Sequence, residues 1–247
     1  MNLASFFVNR LNQHSLRSKK YKETFLPIIR SNEGLNDDEE YIKSAIDQVK
    51  FLQKYCNITS STKILDFGCG QGRLANGFIL SGLYQVSYHG IDTNAKSISW
   101  CKHWLQKHHP NFDFLWLPAQ NARYNPSANK LQELPMEQNF FDVIFLNSVF
   151  SHMLVDDIKF YLMEFSRVLS KHGILYLTAF IEDNVPKMEE NPLGYLGQSS
   201  GALHRVRYEK QFFFSLLQDS DFDIINFHHH GIERTKQSVV IAKKDAQ

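Results

Sequence analysis

The order of apolar and polar positions along the chain predicts strands and helices in alternation. Short apolar runs that end at a polar residue indicate buried strands, and apolar residues three and four positions apart indicate helices. The predicted strands are 63–67, 85–91, 112–117, 141–146, 173–180, 222–227 and 238–242. The predicted helices are 37–56, a short helix after the first strand, 94–107, 155–169 and 208–217.

This alternation favours an α/β fold, in which crossover helices connect parallel strands. We predict a Rossmann-like, doubly wound, mainly parallel seven-stranded sheet with helices on both faces. A short link joins the last two strands, so we expect a terminal hairpin that makes the last strand antiparallel. Residues 37–247 are predicted to form this domain, with an insertion or lid loop at 182–206. Residues 1–36 show no sustained period and are expected to be a loosely helical extension that folds over the ligand site.

The composition and charge of the chain are compatible with the predicted α/β fold and narrow its partners and location. The chain has 247 residues, is 43% hydrophobic and carries a formal net charge of +1, so no overall field draws it to nucleic acid or membrane. Its three cysteines show no C-x-x-C spacing and are expected to be reduced thiols. No apolar run approaches the ~20 residues that span a bilayer. We therefore expect a cytoplasmic protein without a membrane partner, and its oligomeric state is left open.

A glycine-rich loop after the first predicted strand is the strongest chemical signal. The strand carries Asp66 near its end, and the loop places Gly68, Gly70 and Gly72 at alternate positions before a helix. Strand–loop–helix units of this kind line nucleotide pockets in α/β sheets. The spacing differs from the G-x-G-x-x-G of dinucleotide loops, because Arg73 stands where the last glycine would fall. A diphosphate would also meet the negative charge of Asp66, although a nucleotide-binding fold remains the alternative.

A cationic ligand without phosphate suits this loop better. S-adenosylmethionine (SAM) has an ammonium group, a sulfonium group and an adenosine. The segment resembles the first motif of class I SAM-dependent methyltransferases, in which the acid and the glycines hold the methionine and ribose portions. The resemblance implies that SAM is the cofactor and that Asp66 and the three glycines bind it.

Polar residues after the next two strands extend the predicted cofactor site. Asp92 is suited to accept both ribose hydroxyls, although it is also placed to cap the helix that begins at Asn94. Thr93 is assigned to the same site. Many relatives carry an acid for the adenine amine after the third strand. Here Gln120 or Asn121 offers an amide oxygen instead.

The end of the fourth strand carries a second resemblance. It reads Asn147-Ser148-Val149-Phe150-Ser151-His152, and a later strand opens with Gly173. This order is similar to that of a small-molecule subgroup of class I methyltransferases with a Ser-Val-Phe-(Ser/Thr)-His motif, and the resemblance covers about residues 37–243. It implies that Asn147 and Ser148 line the wall between cofactor and substrate. The (Asn/Asp)-Pro-Pro-(Tyr/Phe) motif of amino-methylating DNA enzymes is absent, so nucleic acid is not expected as a partner.

His152 lies just beyond the fourth strand, where the substrate is expected. A hydroxyl nucleophile loses its proton as it attacks a methyl group, and histidine is the common base near neutral pH. His152 is therefore the candidate base or substrate contact, with a structural histidine as the alternative. In the insertion, His204, Arg205 and Arg207 are candidate substrate-binding residues suited to an anionic group, with a solvated loop as the alternative.

Two further groups of residues resemble a metal site and an aromatic cage, but we assign neither role. Neighbouring strand residues point to opposite faces, so we expect that the run His228-His229-His230 cannot converge on one ion and predict no metal site. Trp100 and Trp104 are four positions apart on a predicted helix and are expected to pack rather than form an aromatic cage.

The leading hypothesis is a SAM-dependent methyltransferase that acts on a small-molecule acceptor, with O-methylation of a natural product or saccharide favoured. One alternative is an RNA or protein methyltransferase that docks through the basic segment at 10–22. The other is a non-catalytic SAM-binding protein.

Overall fold

The computed structural model of the protein describes residues 16–30 and 35–245. The strands are β1 (Ser18–Tyr21), β2 (Thr24–Pro27), β3 (Lys63–Phe67), β4 (Ser87–Asp92), β5 (Phe112–Trp116), β6 (Phe141–Leu146), β7 (Leu169–Glu182), β8 (Met188–Glu190), β9 (Val206–Glu209), β10 (Phe222–Ile232) and β11 (Gln237–Lys244). The α-helices are α1 (Asp38–Tyr55), α2 (Arg73–Leu80), α3 (Ala95–Cys101), α4 (Val155–Val168) and α5 (Lys210–Gln218).

The predicted fold class is confirmed, because the structure is mixed α/β with a mostly parallel central sheet and an antiparallel last strand. The seven predicted strands correspond to β3–β7, β10 and β11. The described residues divide into two compact units. The first contains the described residues up to 62 together with 69–117, and the second contains 63–68 and 118–245.

In the first unit, α1 begins where the Asp37 carboxylate accepts a hydrogen bond from the Glu40 N–H at 3.0 Å. Helix α2 packs closely on α1 at Gly77, where a Cβ would lie 2.2 Å from the Ala45 carbonyl oxygen. Only glycine, which has no Cβ, allows the two helices to pack this closely. Strands β4 and β5 of this unit are parallel, so their carboxyl ends lie side by side.

Residues 18–27 form a β-hairpin, so the prediction of a loosely helical extension is wrong for this part of the chain. The hairpin is held by its apolar side: Leu26 is buried together with Leu35 and Tyr41. Strands of four residues are too short to show a period, which is why the sequence pattern did not reveal them. The rest of the predicted extension, at 1–15 and 31–34, lies outside the described residues.

The two tryptophans after β4 pack, as expected. Trp100 is fully buried and donates to the Arg17 carbonyl oxygen at 3.4 Å. Trp104 donates to the Leu16 carbonyl oxygen at 2.8 Å and lies 4.7 Å from the Phe25 ring. They fix the N-terminal hairpin within the first unit. The helix predicted at 94–107 is present, but it changes from α-helix to π-helix at Lys102.

In the second unit, β3 pairs in parallel with β6, and β6 pairs in parallel with β7. The terminal hairpin is confirmed, since β11 is antiparallel to both β7 and β10. The Phe67 ring of β3 lies 4.7 Å from Tyr161 and 5.1 Å from Phe165, which places α4 against the sheet. The insertion at 182–206 is not only a loop, because β8 pairs with β9, and β9 extends the end of β7 in parallel.

No helix among the described residues is both long and apolar enough to cross a membrane. The predicted division into residues 1–36, residues 37–247 and an insertion at 182–206 stays a prediction.

Candidate functional site

The loop after β3 requires glycine at two positions. Gly68 has a φ of +82°, and a Cβ there would lie 2.5 Å from Cγ2 of Val149. Gly72 has a φ of +75°, and a Cβ there would lie 2.6 Å from Cδ1 of Leu105. L-amino acids with side chains rarely adopt this left-handed conformation, and neither site has room for one. The loop therefore presents bare backbone.

In the first unit, Asp92 at the end of β4 is fixed to this loop. Its Oδ2 accepts from the Gly70 N–H at 2.8 Å, and its Oδ1 accepts from the Asn94 N–H at 2.7 Å. Burial raises the pKa of the Asp92 carboxyl, and the backbone hydrogen bonds from Asn94, Gly70 and Thr93 oppose that shift. A carboxylate has about four acceptor positions, so the three backbone N–H groups leave about one for a ligand hydroxyl.

Trp116, at the end of β5, is a candidate ligand contact that the sequence analysis missed. Its indole N–H donates to the Thr93 carbonyl oxygen at 3.0 Å, and 49% of the residue is exposed. Register places it opposite Asp92 on the neighbouring strand. A large exposed ring beside a carboxylate at the carboxyl end of parallel strands is suited to stack on a base. The signal in the sequence for this contact was the place of Trp116 near the end of the predicted strand 112–117.

Asp66 belongs to the second unit, where it is buried on β3 opposite Phe145 of β6. At the carboxyl end of β6, Asn147 is half-buried. The neighbouring Ser148 adopts a φ of +62° and is held by a buried polar network. Its N–H donates to Oγ1 of Thr178 at 2.7 Å, and its Oγ accepts from the Gln237 amide at 2.8 Å. The network fixes the backbone around the end of β6.

His152 follows in a 3₁₀ turn that spans Phe150–His152. Its Nδ1 lies 2.9 Å from the Leu203 carbonyl oxygen. Because a carbonyl oxygen only accepts, Nδ1 carries the hydrogen and Nε2 is an acceptor. Burial lowers the pKa of His152 to about 4, with the positive charge of Arg123 and the nearby His204 acting in the same direction. The ring is therefore neutral at neutral pH.

The loop beside His152 is organised by Asn121. The Asn121 amide donates to the His152 carbonyl oxygen at 2.9 Å. Its Oδ1 accepts from the Arg123 N–H and the Tyr124 N–H, both at 3.0 Å. An amide oxygen has two lone pairs, and both are used here. Asn121 therefore has no acceptor left for an adenine amine, and Gln120 is the remaining candidate.

The three candidate substrate-binding residues His204, Arg205 and Arg207 make their contacts with residues of the insertion. His204 accepts from the Ser200 N–H at 2.9 Å. Arg205 donates to the Gln198 carbonyl oxygen at 3.1 Å, and Arg207 pairs with Glu189 at 2.5 Å. Arg207 also lies 4.8 Å from the Tyr195 ring. These contacts stabilise the insertion, and of the three only His204 is close enough to affect the pKa of His152.

The histidine run departs from the expected geometry. His229 and His230 are consecutive, yet both ring Nε2 atoms contact the Glu182 carboxylate, at 2.8 and 2.9 Å. The expected alternation of side chains is wrong for these two residues, while the prediction that all three histidines cannot converge on one ion stays a prediction. A register shift in β10 between His228 and Ile232, together with a φ of +49° at His230, breaks the alternation of side chains.

Comparison with known proteins finds a family model that matches part of the chain. Residues 65–177 match the family model described as a methyltransferase domain. A ubiquinone biosynthesis O-methyltransferase of Pelagibacter ubique (strain HTCC1062) is 28% identical over 137 residues. That match covers 56% of this chain and 50% of the relative, so the chain spans about half the length of the curated relative it matches.

Two solved structures show the same fold. A magnesium protoporphyrin IX methyltransferase from Synechocystis PCC 6803, with bound SAM, has a TM-score of 0.57 at 13% identity, covering 96% of this chain and 91% of that one. The 4+2 cyclase SpnF has a TM-score of 0.58 at 14% identity, covering 83% and 82%. At these identities the likeness shows the fold alone. The family match is limited to residues 65–177, and the likeness to the two solved structures is one of fold.

Proposed function

We propose that the protein is a SAM-dependent methyltransferase that transfers a methyl group to a hydroxyl of a small-molecule acceptor. The observation that carries this proposal is the Asp92 carboxylate bound to the Gly70 N–H at 2.8 Å. It sets an acidic side chain, with about one acceptor position left, directly against the glycine-rich loop. That pairing suits a nucleoside with a positive charge and no phosphate.

The residues of each unit have separate roles in this proposal. In the first unit, Asp92 accepts the ribose hydroxyls, Thr93 and Trp116 border the adenine, and the backbone at Gly70 and Gly72 admits the ligand. In the second unit, Gly68 continues the loop and Asp66 attracts the ammonium group. Asn147 and Ser148 border the methyl acceptor. When bound, SAM supplies a methyl group already activated by its sulfonium.

His152 is proposed to orient the acceptor hydroxyl through Nε2 and to take its proton. The bond from Nδ1 to Leu203 fixes the ring and its tautomer. Because the pKa of His152 is about 4, its protonated form is unfavourable. A base this weak suits an acidic hydroxyl, such as a phenol with a pKa of about 10, better than an alkyl alcohol.

The proposal that the acceptor is small rests on the O-methyltransferase relative and on the neutral charge of the chain. The relative acts in ubiquinone biosynthesis according to its name. In the basic segment that the RNA alternative uses for docking, Lys19 already pairs with Asp38, which removes one cation from such a surface. O-methylation of a natural product with an acidic hydroxyl is favoured, and a saccharide, whose hydroxyls are less acidic, is the weaker candidate.

Two measurements test the proposal. Titration calorimetry should show binding of SAM and of its demethylated product, and absence of heat at millimolar ligand would refute cofactor binding. Incubation with labelled SAM and a panel of phenols, sugars, amines, RNA and peptides should give methylated phenol or sugar. The variant His152→Ala should lose transfer but keep SAM affinity, and the exposed His103→Ala is the matched control. Binding without transfer to any acceptor would favour a non-catalytic SAM-binding protein, and labelled RNA or peptide would favour the other alternative.

A further inference from the structure

A second cluster of side chains lies at the carboxyl end of β7, within the second unit. Glu182 is the last residue of that strand, and its side chain is only 14% exposed. Its Oε2 lies 2.8 Å from Nε2 of His229, and its Oε1 lies 2.9 Å from Nε2 of His230. The ligand atoms of all three residues lie within 4.8 Å of one another.

The shape of β10 brings the two histidines to one side. In a regular strand, consecutive side chains point to opposite faces. Here the pairing of β10 with β11 slips between His228 and Ile232, and His230 has a φ of +49°. The two imidazole rings therefore stack with centroids 3.9 Å apart and an interplanar angle of 27°. Both present the same nitrogen to the same carboxylate.

Tyr195 of the insertion holds the carboxylate in place. Its hydroxyl donates to Oε1 of Glu182 at 2.6 Å. Glu182 is thus an oriented ligand, fixed by Tyr195 and by the two histidines. The histidines are 46% and 40% exposed, which leaves a route for an ion from solvent.

We propose that Glu182, His229 and His230 bind a divalent first-row transition metal ion, with Zn²⁺ as the first candidate. Two imidazole nitrogens and one carboxylate form a donor set that suits zinc, iron, cobalt or nickel, and it is too rich in nitrogen for magnesium or calcium. Three protein ligands leave at least one coordination position open for water or a ligand. Tyr195 is the outer residue that orients the carboxylate.

The experiment uses the full chain without a polyhistidine tag, stripped with a chelator and dialysed. Zn²⁺ is titrated by calorimetry, and Co²⁺ is added separately to follow its visible absorption. We expect one Zn²⁺ per chain, and a cobalt spectrum that Zn²⁺ displaces. Because outer residues of metal sites already change affinity by about 10–100-fold, each of Glu182→Gln, His229→Asn and His230→Asn should weaken Zn²⁺ binding at least ~10-fold. Tyr195→Phe should weaken it by about 10-fold.

His228→Asn is the matched control, because it alters the same histidine run outside the cluster and should leave affinity unchanged. Circular dichroism checks that each variant is folded, and the stoichiometry of the unaltered chain does not depend on any variant. A stoichiometric Zn²⁺ site that survives the double change of His229 and His230 would overturn the assignment. So would the absence of Zn²⁺ binding at millimolar concentration. SAM is absent throughout, so this result is separate from that for the proposed function.

Discussion

Replacing Asp92 by asparagine keeps the size of the side chain and removes its charge. In the folded protein, the two carboxylate oxygens accept from the Gly70 N–H at 2.8 Å and from the Asn94 N–H at 2.7 Å. Asparagine has a single oxygen, so one of these N–H groups would face an amide donor instead. The variant also offers one acceptor fewer to the ribose of the cofactor.

The size of the effect follows from these bonds. A hydrogen bond to a charged group contributes about 1.5–3 kcal/mol, so we expect Asp92→Asn to weaken SAM binding by about 2 kcal/mol, or about 30-fold. Loss of one loop hydrogen bond should cost about 1 kcal/mol of folding free energy. Relief of the buried charge offsets part of this cost, because burial raises the pKa of Asp92.

The raised pKa also fixes the sign of a pH effect. A carboxyl whose pKa rises on folding contributes stability that is complete below its unfolded pKa of about 3.9. That contribution is lost as the pH rises through the folded pKa. The free energy of unfolding of the Asp92→Asn variant should lack this dependence, and thermal unfolding across acidic and neutral pH measures it.

Titration calorimetry with SAM at neutral pH measures the affinity loss. The matched control is Asp113→Asn, which makes the same chemical change at an exposed residue of β5 in the same unit. The control should bind SAM like the unaltered protein. If folded Asp92→Asn bound SAM within about twofold of the unaltered protein, the ribose assignment would be refuted.

Three further predictions concern packing, catalysis and acid stability. Gly77→Ala should destabilise the protein by about 3 kcal/mol in urea unfolding, because the new methyl would lie 2.2 Å from the Ala45 carbonyl oxygen. His152→Asn should lower turnover by about 10²–10³-fold. Turnover of the unaltered enzyme should stay constant as the pH falls through about 6.5, because the pKa of His152 is about 4. Glu164→Gln should lower the free energy of unfolding by about 1–2 kcal/mol at neutral pH. The reason is that the Glu164 carboxylate accepts a hydrogen bond from Arg167, which also holds the pKa of Glu164 low. That contribution is present above the unfolded pKa of about 4.3 and is lost as the pH falls through the folded pKa. The free energies of unfolding of the variant and of the unaltered protein should therefore become equal in acid.

Buried regular elements were the most predictable part of the fold. The predicted strands 63–67 and 141–146 coincide with β3 and β6, because each is an apolar run long enough to be recognised. The predicted helix 37–56 also agrees closely with α1, which the Asp37 carboxylate caps before an acidic first turn. The N-terminal hairpin was not predicted, because its stability comes from Trp100 and Trp104, far along the chain.

The candidate site was predictable in its residue types and less so in its geometry. The alternate glycines, which the sequence shows directly, do form a positive-φ loop. The occupied amide of Asn121 depends on backbone groups of residues 123 and 124, which a residue-type argument cannot place. The convergence of His229 and His230 on Glu182 depends on an irregularity of β10, and the alternation rule gave the opposite expectation.

Burial shifts the pKa values of Asp92 and His152 in opposite directions for one physical reason. A low dielectric disfavours whichever form is charged, so it raises the pKa of the carboxyl and lowers that of the imidazole. For Asp92 the backbone hydrogen bonds counter the shift and favour the anion, which a cationic cofactor would stabilise further. For His152 the nearby Arg123 adds to the shift, so the ring is kept neutral and its Nε2 stays an acceptor. Burial thus favours the neutral imidazole that the proposed role of His152 requires, and at Asp92 it opposes the anion that the backbone hydrogen bonds favour.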